Sequence, residues 1–139
     1  MRNIGRLVIV IVSLLLFVGI ALADHHAVKI NEKEGVGRYL TDAEGMTIYW
    51  FMQDTPGKSV CAGPCSAKWP PYYREIVAAP AGILADEFVN MTRADGAKQT
   101  TFRGYPLYYR AGDKTAGDTG GQGLNDVWFV INPDTFPPQ

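Results

Sequence analysis

The chain has 139 residues, with 13 Lys and Arg against 14 Asp and Glu and a formal net charge of −1. That length holds one domain with a modest core. The charge balance excludes a general electrostatic grip on nucleic acid, which needs clustered basic residues.

In chain order, Arg2 and Arg6 form a basic n-region, residues 7–20 an uncharged apolar run, and Ala21-Leu22-Ala23 a small-x-small cleavage site. This pattern predicts a signal peptide over 1–23. The run to Leu22 falls short of the ~20 residues that cross a bilayer, and no cysteine at the cleavage site offers a lipid attachment point. No stable membrane anchor is therefore expected after cleavage, and the expected location is periplasmic or secreted. The mature chain keeps 11 basic against 14 acidic residues, a net charge of −3. Residues 24–36 read as a polar N-terminal leader.

Cleavage after Ala23 would expose Asp24-His25-His26, whose residues 25 and 26 are the chain's only histidines. A free amine, two deprotonated amides and the His26 imidazole form a square-planar set suited to Cu(II) or Ni(II). Asp24, His25 and His26 are thus a candidate metal site, with copper the candidate ion. The competing reading is an unstructured leader whose histidines are incidental.

From Gly37 the chain repeats itself. An offset of 59 lays Gly37 on Gly96, Thr41 on Thr100, Gly45 on Gly104, Tyr49 on Tyr108, Asp54 on Asp113 and Trp69 on Trp128. A spacing kept through so many unlike residues marks a duplicated supersecondary unit. The short runs rich in Tyr, Trp, Phe and Val, separated by Gly and Pro, have β composition. Residues 38–41 and 46–51 read as a hairpin around Asp42-Ala43-Glu44-Gly45, and 99–102 and 105–110 as its copy around Arg103-Gly104. On the return strands Met46, Ile48 and Trp50, with Tyr105, Leu107 and Tyr109, share a core face, so Tyr49 and Tyr108 are expected to point away from it. Pro106 places the second return strand at an edge. Residues 83–88 allow one central helical turn, and 127–131 a closing strand. The expected fold is a small all-β domain over 37–133, built of two tandem hairpin repeats (about 37–71 and 96–130) in pseudo-twofold relation, with a loose tail at 134–139.

Tyr49-x4-Asp54 and Tyr108-x4-Asp113 are the sharpest motif. With Tyr39-Leu40-Thr41-Asp42, Cys61-Ala62-Gly63-Pro64-Cys65, Trp69-Pro70-Pro71, Arg93-Ala94-Asp95-Gly96 and Gly117-Asp118-Thr119, they make the chain resemble the secreted-repeat lipoproteins that carry a Tyr-x-aromatic-x-x-Asp motif. That resemblance implies export and leaves the molecular function open. The chain departs from it at Arg110, where an aromatic is expected, and in lacking the lipid-bearing cysteine. Each motif aspartate precedes turn residues, where a carboxylate caps backbone N–H groups; a cation or polar ligand is the functional alternative.

Cys61 and Cys65 are expected to form a disulfide in an oxidising compartment, with a Cys-x3-Cys redox or copper(I) site as the alternative. The expected function is a non-catalytic binding or interaction module, its partner an envelope protein or small ligand. Copper or redox handling is the rival. No enzyme is expected, since no histidine lies in the repeat region to complete a nucleophile–base pair.

Overall fold

The computed structural model describes residues 24–139. The expected signal peptide lies outside the described residues. Among those described, no helix is long and apolar enough to cross a membrane. The domain is all-β. Its strands are β1 (Lys29–Lys33), β2 (Gly37–Thr41), β3 (Tyr49–Phe51), β4 (Phe88–Thr92), β5 (Lys98–Phe102), β6 (Tyr105–Pro106) and β7 (Trp128–Val130). One short helix, α1 (Pro64–Lys68), and two 3-10 turns, Ala85–Glu87 and Leu124–Asp126, complete it. Three small antiparallel sheets result: β1 with β2, β3 with β7, and β4-β5-β6 with the Pro106 strand at its edge.

Two expectations about the ends are corrected. The leader carries β1, which pairs along its whole length with β2, from Lys29↔Thr41 to Lys33↔Gly37. Its charged sequence hides a strand because an edge strand needs apolar residues on one face only, here Val28 and Ile30, and solvates the rest. The tail is not loose either. Phe136 is 6% exposed and packs edge-on against Trp50 and Tyr105, while Arg103 donates to the carbonyls of Pro133 and Phe136.

The duplication is visible as a pseudo-twofold. Tyr49 and Tyr108 lie opposite one another and exchange both backbone hydrogen bonds, at 2.8 and 2.9 Å. Around them the bonds recur in pairs. Met52 N–H donates to Val127 O, and Ala111 N–H to Lys68 O, each at 2.8 Å. Tyr49 faces Val130, and Tyr108 faces Pro71. The offset of 59 thus holds in space after each hairpin turn.

Before the turn it becomes 60. Ile48 N–H donates to Leu40 O, whereas Leu107 N–H donates to Thr100 O, so Leu40 and Thr100 are the equivalent pair. The gapless alignment of Gly37 with Gly96 and Thr41 with Thr100 is off by one. The cause is turn length. Ala43-Glu44-Gly45 closes the first hairpin, with Asp42 N–H bonded to Met46 O, and the two residues Arg103-Gly104 close the second. Arg103 and Gly104 both take positive φ, 50° and 91°, the backbone that a two-residue hairpin requires.

Tyr49 and Tyr108 point away from the Ile48 and Leu107 face, as expected, but into a second core and not to solvent. One core gathers Leu40, Ile48, Trp50, Tyr72, Phe102, Leu107 and Ile131; the other gathers Tyr39, Tyr49, Phe51, Cys61, Trp69, Tyr108 and Trp128. Met46, Tyr105 and Tyr109, expected in the core, are half-buried. The central residues of the return strands, 47–51 and 106–108, are buried throughout, and the partial exposure falls at their ends.

Candidate functional site

The two motifs meet at the pseudo-twofold and cross over. Tyr49 OH donates to Asp113 Oδ2, and Tyr108 OH to Asp54 Oδ2, each at 2.5 Å. Each tyrosine therefore pairs with the aspartate of the other repeat. Asp54 and Asp113 are 4% and 8% exposed, and both tyrosines are fully buried. The second oxygen of each carboxylate is also held, Asp54 Oδ1 by Val60 N–H at 2.7 Å and Asp113 Oδ1 by Arg110 Nη1 at 3.1 Å. Gly121 N–H donates to Tyr49 OH, and Ser59 Oγ lies 2.6 Å from Tyr108 OH.

Burial first, and the bonded carboxylate second, hold both phenols well above the usual tyrosine range. Burial also raises the Asp54 carboxyl, against the bonds from Tyr108 and Val60 that favour its anion. Phenols so placed stay protonated and donate. The groups satisfy one another, so the motif builds a clasp between repeats and presents no free ligand atoms.

Trp69 and Trp128 stack across the same axis with centroids 3.8 Å apart and planes 3° from parallel. Tyr49 meets Trp69 edge-on, and Tyr108 meets Trp128 likewise. The turn glycines complete the exchange. Gly45 O accepts from Gly117 N–H and Gly104 O from Gly57 N–H, so each hairpin tip docks on the loop that follows the other repeat's motif. At φ of 87° and 91°, with a Cβ 3.0 Å from Ala116 Cβ or 3.1 Å from Pro56 Cβ, only glycine fits either tip.

Each motif loop also receives a cation, by different routes. Arg93, 5% exposed, enters the first and donates to Ser59 Oγ and Gln99 Oε1 at 2.8 Å and to Cys61 O. Its spatial counterpart is Lys33, since Lys33 faces Gly37 as Arg93 faces Ala97. Lys33 reaches only Gly117 O, at 2.9 Å. Arg110 fills the second loop from within, pressed against Gly112 and Gly120 and paired with Asp113. This accounts for the arginine where the motif expects an aromatic. The roles of Arg93 and Gln99 were not legible in the sequence, although Arg93 belongs to the Arg93-Ala94-Asp95-Gly96 segment shared with the family.

Residues 33–72 and 89–132 match one family model, each stretch carrying a hairpin, a motif and its tryptophan. The chain belongs to the Lipoprotein_15 family, described as a secreted repeat of unknown function. No curated protein and no solved structure matched it. In this Lipoprotein_15 protein the two matched stretches form one interlocked body, because each motif tyrosine bonds to the aspartate of the other stretch and the two tryptophans stack across.

Cys61 and Cys65 are bonded to each other, so this state has no thiolate pair to offer copper(I). Cys61 is buried in the aromatic core. At the N-terminal end, His25 Nδ1 lies 2.5 Å from Glu44 Oε1, and His26 N–H donates to the Asp24 side chain. The His26 amide that a copper wrap would deprotonate is thus engaged. No group of three or more His, Cys, Asp or Glu side chains converges on a metal-sized site among the described residues.

An open groove of about 690 Å³ lies elsewhere, between Trp50, Met52, Phe129 and Phe136, with Gln122, Asn132 and Thr135 supplying neutral polar groups. None of its lining side chains is charged. It leaves no mark in the sequence, since it joins β3, β7 and the tail, which are distant in the chain.

Proposed function

We propose that this protein is a non-catalytic binding module of the periplasm that takes a neutral, largely apolar ligand in the groove beside Trp50. The groove carries this reading: its volume falls in the range of small-molecule sites, and its wall is aromatic with a few neutral hydrogen-bonding groups. With no charged side chain in the wall, a charged ligand would lose hydration there without a side-chain counter-charge to replace it, which is costly. Met52, 50% exposed at the groove, is flexible and polarizable and can adapt to an apolar ligand. Titration with an uncharged apolar fluorophore tests the proposal. Saturable binding is expected, weakened at least tenfold by Met52→Glu or Thr135→Glu, both at exposed positions that leave the cores untouched. Binding that ignores both substitutions, or no binding, overturns it.

A further inference from the structure

The pseudo-twofold offers an internal template, because each surface of one repeat can be compared with its twin. In the first repeat Phe51 stacks on Trp128 with centroids 4.2 Å apart, flanked by Met52 and Val127. The corresponding residues around Trp69 are Arg110, Ala111 and Lys68. Phenyl, thioether and isopropyl groups are thus replaced by a guanidinium, a methyl and an ammonium. A hollow of about 240 Å³ lies there, bounded by Lys68, Trp69, Arg110, Ala111, Gly112 and Leu124. We infer that this hollow is a binding site for a small aromatic carboxylate, its ring in the hollow and its anion between Lys68 and Arg110.

Size, wall and charge point the same way. A 150 Å³ apolar cavity is known to hold a benzene ring, so this volume holds one ring and little more. Trp69, 5% exposed, supplies an aromatic wall against which an entering ring can stack or pack edge-on, both favoured aromatic geometries. The twin site shows that this position beside a stacked tryptophan accepts an aromatic ring. Lys68 ends α1 exposed and has no ion-pair partner among the described residues. Arg110 shares only one oxygen of Asp113, whose other oxygen is taken by Tyr49. The unpaired Lys68 at the mouth favours an anion, and Arg110 adds the donors that its pairing with Asp113 leaves over, while the apolar wall favours a ring over a mineral ion. The site shares no residue with the groove beside Trp50 and stands or falls separately.

Benzoate is the probe, followed by amide and indole N–H shifts of the full mature chain. Saturable shifts confined to Ala111, Gly112, Leu124 and the Trp69 indole are expected. Cyclohexanecarboxylate, which keeps the charge without the ring, and benzylamine, which keeps the ring with the opposite charge, should each bind at least tenfold more weakly. Ala111→Met restores the first repeat's side chain and should abolish binding with the fold intact. Lys68→Gln, at an exposed position, should weaken it several-fold and serves if Ala111→Met does not fold. Absence of saturable shifts at these residues, equal binding of benzylamine, or unchanged affinity in Lys68→Gln overturns the inference.

Discussion

Tyr49→Phe tests the clasp at its centre. The substitution keeps the ring and removes one oxygen. That oxygen donates to Asp113 at 2.5 Å and accepts from Gly121 N–H at 3.1 Å. A hydrogen bond to a charged group contributes about 1.5–3 kcal/mol, and an amide left without its acceptor costs about 1 kcal/mol more. The single substitution should therefore destabilise by about 3 kcal/mol, a large share of the stability of a domain this size. Crossing is tested by a double-mutant cycle. Tyr49→Phe combined with Asp113→Ala should show a coupling of about 1.5–3 kcal/mol, whereas Tyr49→Phe with Asp54→Ala should add to within about 0.5 kcal/mol. Urea unfolding with a common m-value reads both cycles. Coupling within one motif that equals or exceeds the coupling across repeats would refute the clasp.

Trp128→Ala should cost about 3–5 kcal/mol, since it removes a ring stacked on both Trp69 and Phe51 and leaves a cavity; a near-neutral melt would show the stack to be dispensable. Tyr72→Phe should be neutral or stabilising by about 1 kcal/mol, because its buried hydroxyl has no hydrogen-bond partner and burial pushes its ionisation up to about 12; a clear loss of stability would reveal a hidden partner. Acid should destabilise the fold through Glu44, Glu87 and Asp118, whose carboxyls are held low by bonds from His25, Arg103 and the Lys114 amide respectively. Their contribution is present above the usual carboxylate range and is lost as pH falls through their lowered values. Asp54 acts in the opposite sense. Burial raises its folded value, so the stability it contributes grows as pH falls and is lost as pH rises through that value. Asp54→Asn should therefore steepen the acid dependence of stability, measured by urea unfolding between pH 3 and 6, and an unchanged slope would contradict a raised Asp54.

The local chemistry of the chain determined much of this protein by itself. Alternating apolar residues and turn glycines specify the hairpins, because side-chain direction in a strand and positive φ at a turn depend on near neighbours only. The spacing of Tyr49, Asp54 and Trp69 against Tyr108, Asp113 and Trp128 already announced two equivalent halves. Cys61 and Cys65 lie close enough in the chain to pair without help from the fold. The tertiary structure decided what the repeats do to each other. Tyr49 chooses Asp113 over Asp54, and Gly45 meets Gly117, because antiparallel pairing at Tyr49 and Tyr108 turns each motif toward the other repeat's loop. A single repeat carries no trace of that choice. The burial of both tyrosines follows from the same interlocking, since a face that is outward in one hairpin becomes interior once the second closes over it. Arg93 and Arg110 enter equivalent loops from different parts of the chain, and the hollow at Trp69 lies where Lys68, Arg110 and Ala111 take the places that Val127, Phe51 and Met52 have in the twin. Such pairings join residues far apart in sequence, and their energies depend on which groups the folded chain leaves next to one another.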